Sequence, residues 1–181
     1  MITKCTHDST AIPAALRHIN NVPDDLQNEV CWVLWRSIVR NGKDCKVPWS
    51  VYNQTASSTD PATWAAFDTV VEKFREGYHS GIGFVFSEDS PFCGVDLDGC
   101  RNPKTGEIDQ WAIPWINALN SYTEVSPSGT GVKIFCRSSL HLKGINQKLD
   151  LPNRYGKEPG IEVYTHGRYF AVTGQVVNHA E

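Results

Sequence analysis

Apolar positions along this chain come mostly in short runs of β-branched and aromatic residues, broken by two stretches of helical period. CWVLWRSIV (31–39) reads as a strand, the polar NGKD (41–44) as a turn, and KVPWSVY (46–52) follows it. The period changes after that. Asp60 sits at an N-cap position and Pro61 at the first helical one; Trp64, Phe67, Val70, Val71 and Phe74 then share one face as far as Gly77. IGFVFS (82–87) and CGVDLD (93–98) read as strands joined by the turn EDSP, and GCRNPKTGE (99–107) is turn chemistry throughout.

Asp109 is placed to cap a second helix near 110–119, with Trp111, Trp115 and Leu119 at core spacing. SYTEV (121–125), VKIFCR (132–137), GIEVYT (160–165) and YFAVTG (169–174) read as further strands. The polar, aperiodic stretch 138–159 reads as a long loop. Strands and helices mix without strict alternation, which predicts an α+β fold. A weak helical signal (Ala14, Ala15, Leu16, Ile19) makes residues 1–22 a peripheral segment ahead of one domain over 23–181.

Composition narrows the class. Forty per cent of the residues are hydrophobic, enough for a sizeable core, and no apolar run approaches the roughly 20 residues that span a bilayer. The start lacks the regions of a secretory signal, so the expected location is cytoplasmic. Six scattered cysteines form no C-x-x-C pair and are expected as reduced, mostly buried residues. The net charge of −3 is low for a nucleic-acid enzyme, but it is unevenly spread. Six cations between 133 and 157 face Asp150 alone, and Arg36, Arg40, Lys43 and Lys46 face Asp44 alone. Together these patches favour phosphate contact.

The chemistry centres on three acids. Asp96 and Asp98 lie two apart at a strand end, so both project from one face while Val95 and Leu97 turn into the core. Such close carboxylates repel unless a cation lies between them, and all-oxygen ligands favour Mg²⁺ or Mn²⁺. Glu162, between Ile161 and Val163, repeats the pattern. Three carboxylates on one sheet face suit two metal ions clamping a phosphoryl transfer. Between them lies SPSGTGVKIF (126–135). Gly129 and Gly131 allow the backbone to turn its N–H groups towards an anion, Ser126, Ser128 and Thr130 add hydroxyls, and Lys133 adds a charge.

A D-x-D strand, S-P-S-G-x-G before an apolar strand, I-E-V-Y, and G-R-Y-F-x-V-T-G, in this order from about Trp32 to Gly174, resemble the primase-polymerase domains of the archaeo-eukaryotic primase superfamily found in phages, plasmids and mobile elements. The resemblance implies an N-terminal α/β portion plus a sheet like the RNA-recognition motif that carries the acids. It implies metal ligation by Asp96, Asp98 and Glu162, and nucleotide contact by the 126–133 loop, His166 and Arg168. Lys133 stands where such domains commonly have histidine. Arg36 and Lys46 are the candidates for template or phosphate contact. The implied activity is priming or template-dependent synthesis from dNTPs or NTPs on single-stranded DNA, with a helicase domain often following in a longer parent chain. The competing reading is a catalytically inactive nucleic-acid-binding or origin-recognition module.

Overall fold

A computed structural model of the chain describes residues 17–139, 142 and 144–177. The Ala14–Leu16 part of the weak helical signal lies outside them. Among the described residues two curled antiparallel sheets and three short α-helices make up an α+β fold. The first sheet holds β1 (Trp32–Arg40), β2 (Lys43–Trp49), β3 (Gly81–Phe86) and β9 (Arg168–Val172) in the order β2-β1-β3-β9. The second holds β4 (Phe92–Asp98), β5 (Tyr122–Val125), β6 (Val132–Arg137), β7 (Ile145–Lys148) and β8 (Gly160–Tyr164) in the order β5-β6-β4-β8-β7.

β1 and β2 form a hairpin, joined at the turn read from NGKD. Asn41 and Gly42 both have positive φ, 52° and 72°, as a tight turn that matches strand twist requires. β3 and β4, expected as neighbours across EDSP, pair in different sheets; the chain changes sheet there and returns through the 165–167 turn between β8 and β9. Gly94 marks the close approach of the sheets. A Cβ on it would lie 2.4 Å from the rings of both Phe86 and Phe170.

Two helix starts differ from expectation. Asp60 caps a 3₁₀ turn, its carboxylate accepting from Ala62 N at 3.1 Å, and α2 (Phe67–Arg75) begins only after Trp64. Asp109 caps nothing, because its carboxylate accepts from the Tyr155 hydroxyl at 2.9 Å. α3 (Ile113–Leu119) starts beyond it and buries Ile116, while Trp115 is exposed. The expected loop 138–159 contains β7, an edge strand whose four residues are all exposed and so carry no apolar signal. Within the segment read as peripheral, Ile19 and Val22 are buried in the core, just ahead of α1 (Asp24–Gln27).

The main core lies between the sheets and under α2, where Phe84 is fully buried against the rings of Trp32, Phe86, Phe92 and Phe135. A second cluster, with Val95, Leu97, Ile134 and Ile161, packs the far face of the second sheet against α3. No helix among the described residues is long and apolar enough to cross a membrane.

Candidate active site

The strand register of the second sheet sets one polar row. Glu124 on β5 lies opposite Lys133 on β6, Lys133 opposite Asp96 on β4, Asp96 opposite Glu162 on β8, and Glu162 opposite Asn146 on β7. Directly opposed residues share a face, so all five side chains leave the sheet on the same side. Val95 and Leu97 take the other face, as expected from the period of two.

A cleft of about 270 Å³ opens over this row. It is lined by Asp96, Asp98, Ser126, Pro127, Ser128, Lys133 and Lys157, and from the first sheet's side by Lys46, Tyr169 and Ala171. The Lys133 ammonium is buried, bonded to Asp96 Oδ2 and 4.0 Å above the Phe170 ring. Lys157 donates to Asp98 Oδ1. Burial and the neighbouring Asp96 charge raise the Asp98 carboxyl above its ordinary range, against the lowering effect of Lys157. Partial burial of its ammonium, with help from Lys133 and Lys157, lowers Lys46. The cleft therefore holds three lysines that repel one another and two carboxylates that do the same.

The acid pair fits a hard divalent cation on one specific observation. Asp96 Oδ1 is buried and makes no hydrogen bond, although Oδ2 of the same carboxylate is bound by Lys133. A buried charged oxygen without a partner is costly, and a cation held by Asp96 and Asp98 would relieve it. Glu162 is differently disposed. Its backbone opposes Asp96, but its carboxylate accepts from Asn146 Nδ2 at 2.8 Å and from the Tyr164 hydroxyl at 2.9 Å. Among the described residues no group of three His, Cys, Asp or Glu side chains is placed to hold a metal.

The glycine loop is a tight hairpin between β5 and β6. Gly129 takes φ +77°, and a Cβ on Gly131 would sit 2.5 Å from the Leu97 carbonyl oxygen, which holds the loop against the end of β4. Several of its backbone donors serve the loop itself: Gly129 N donates to Ser126 O, and Gly131 N to Ser126 Oγ. The hydroxyls of Ser126, Ser128 and Thr130 form a chain at 3.0 and 2.9 Å. Of the loop, Ser126, Pro127 and Ser128 face the cleft, so what it presents there is hydroxyls rather than a cradle of backbone N–H groups.

The remaining candidates separate. β8 ends at Tyr164, so His166 lies in the turn, 3.9 Å from Glu88 and away from the acids. Arg168 opens β9 in the first sheet, with its guanidinium 5.3 Å from the Tyr164 ring, whose hydroxyl in turn binds Glu162. Lys46 reaches the cleft. Arg36 does not: it pairs with Val47 and Lys46 with Ser37, so the two project from opposite faces of the β1–β2 hairpin. Of the six cations in 133–157, Lys133 and Lys157 enter the cleft; Arg137, Lys148 and Arg154 pair with Asp25, Glu158 and Asp109, and Lys143 lies outside the described residues.

Sequence reasoning passed over Glu124, which is fully buried. Its carboxylate accepts from the backbone N–H groups of Thr173 and Gly174 and from the Tyr122 hydroxyl, tying the chain after β9 to the second sheet. An acid inside S-Y-T-E-V carried no outward sign, because only the pairing with β6 places it beside Lys133. Burial pushes its carboxyl up to about 7, from 4.5. Protons thus bind the folded state more tightly, so this contribution is full at low pH and is lost as pH rises from about 4.5 through about 7. It amounts to roughly 3 kcal/mol at most. Between pH 5 and 7.5 the melting temperature of the wild type is expected to fall more steeply than that of Glu124→Gln; Asp98, raised in the same direction, adds to the slope and His79, whose pKa is lowered, opposes it. Calorimetric melts of both across that range check this.

No family model matches the chain. Over 146 residues, 80% of its length, it is 31% identical to the protein named DNA primase-polymerase of Nitratiruptor phage NrS-1, and the chain spans 19% of that protein's length.

Proposed function

We propose that this chain is the catalytic domain of a DNA primase-polymerase of the archaeo-eukaryotic primase superfamily, a nucleotidyltransferase that joins dNTPs or NTPs to a 3′-hydroxyl with release of pyrophosphate. The observation that carries the reading is the cleft in which Asp96, with one unpartnered buried oxygen, and Asp98 meet three lysines and the 126–128 loop. Such a set matches a metal-bound triphosphate in charge and in donor type. Likeness to the phage primase-polymerase over most of the chain supports it independently. On this reading the second sheet is the acid-bearing half, and β1, β2, β3 and α2 are the N-terminal portion, with β9 returning to complete their sheet.

Asp96 and Asp98 would hold Mg²⁺ or Mn²⁺, with Glu162 joining them only by leaving Asn146 and Tyr164. Bound there, such an ion would supply Lewis acidity to the transferred phosphate and the attacking hydroxyl. Lys133, Lys157 and Lys46, freed from the acids or from one another, would grip the β- and γ-phosphates with the hydroxyls of Ser126 and Ser128 and so fix the in-line geometry. Lys133 does this as a point charge, where a histidine would present a planar ring.

The reading is tested by supplying a single-stranded template with and without an annealed primer, with labelled nucleotides and Mn²⁺ or Mg²⁺. Extension of the primer that stops on addition of EDTA is the expected result; product without primer establishes priming. A folded protein that neither binds nucleotide nor extends a primer overturns the reading in favour of an inactive nucleic-acid-binding module.

A further inference from the structure

The face of the β1–β2 hairpin turned away from the cleft carries a second group of donors. The Arg36 guanidinium lies 4.4 Å from the Trp49 ring, and Arg36 Nη2 stands 3.5 Å from His79 Nε2. Arginine only donates, so Nε2 of this imidazole accepts and the ring proton sits on Nδ1. Burial and the Arg36 charge lower the His79 pKa, which agrees with a neutral ring. Three N–H groups remain, Arg36 Nε, Trp49 Nε1 and His79 Nδ1. All three are buried, and none has a hydrogen-bond acceptor among the described residues. His79 is 8% exposed, whereas Arg36 and Trp49 are half-buried, so the group meets solvent along their edges.

Three buried donors without acceptors, on side chains that meet at Arg36, one of them a permanent cation, have the recognition chemistry of an anionic oxygen. Residues close to them in the chain indicate which anion. Tyr78, next to His79, and Tyr52, three residues beyond Trp49, are 72% and 71% exposed. Exposed aromatic rings flanking a phosphate-type site are the arrangement on which unpaired bases stack; in a duplex those faces are already covered. Arg40 and Lys43, at the exposed tip of the same hairpin, extend the positive charge.

We infer that Arg36, Trp49 and His79 form a phosphodiester-binding site for single-stranded nucleic acid, with Tyr78 and Tyr52 as stacking rings, on the opposite face of the hairpin from the nucleotide cleft. A strand held here passes the β2 edge of the first sheet, whose other face presents Lys46 to the cleft. The choice of nucleic acid as the partner rests on the proposed function; the donor geometry does not.

The test measures two affinities separately: a fluorescein-labelled oligothymidylate by anisotropy, and a fluorescent dNTP with Mn²⁺. Arg36→Gln removes the cation, and Trp49→Phe keeps an aromatic ring while deleting its N–H. Each is expected to weaken oligonucleotide binding about tenfold while dNTP binding holds. Arg36→Gln should also make the slope of log affinity against log salt shallower by about 0.7, the loss of one phosphate contact on a single strand. If Arg36→Gln fails to fold, Trp49→Phe carries the same test. Unchanged oligonucleotide affinity in the folded variants overturns the inference, as does equal wild-type affinity for a duplex of the same length. A wild type that binds dNTP but no oligonucleotide overturns this site and leaves the cleft reading standing; the converse leaves this site standing and overturns the cleft.

Discussion

Replacing Asp96 by asparagine is expected to lower nucleotide incorporation by at least about 10²–10³-fold, the loss that follows removal of one strong electrostatic group from a preorganised site. Asparagine keeps the shape and one oxygen able to accept from Lys133, so the row across the second sheet persists. It loses the charge on the buried Oδ1, the atom that makes no hydrogen bond within the protein and fits a divalent ion. The buried Lys133 also loses its counter-charge, which costs stability, so the comparison is made well below the variant's melting temperature. Steady-state incorporation over a Mn²⁺ titration decides the matter. A rate within a few-fold of wild type at saturating Mn²⁺ would remove Asp96 from the chemistry.

Phe84→Ala is expected to destabilise the fold by about 3–5 kcal/mol, as truncation of a large buried aromatic does. Phe84 has no exposed surface and stands at the centre of the core, its ring edge-on to Trp32, Phe86, Phe92 and Phe135 at centroid distances of 5.2–6.2 Å. Phe92 and Phe135 belong to the second sheet and Trp32 and Phe86 to the first, so the cavity would open where the sheets hold each other. Against a typical total of about 5–15 kcal/mol, such a loss leaves a marginal protein. Urea denaturation measures it as a shift of the midpoint. Val39→Ala, at a position 68% exposed, should change stability by less than about 0.5 kcal/mol.

Local pattern was informative wherever one face was dry and the other wet. D-L-D with Val95 and Leu97 turned to α3 is legible because a strand's period of two separates acids from core. N-G is legible as a tight hairpin because few residues tolerate positive φ. The same logic failed where burial is absent or two-sided. β7 shows no apolar face because it is an exposed edge, and Trp115 has core spacing yet is exposed, while α3 turns Ile116 into the core. Asp109 resembles a cap by type and position; its partners, Tyr155 and Arg154, lie more than 40 residues away in the chain.

The acids, the serine-glycine loop and the two basic runs were thus determined by the sequence alone, because each depends on residue type and short spacing. Pairing decided the rest. Only the antiparallel register puts Glu124, Lys133, Asp96 and Glu162 in one row, sends Glu162 to Asn146, and separates Arg36 from Lys46. Only the approach of the two sheets brings Lys46 and Tyr169 over the aspartates, and only the pairing of β8 with β4 sets Lys157 beside Asp98. Contacts between residues dozens of positions apart arise from which strands pair and how two sheets pack, and neither quantity is written in any local stretch of the chain.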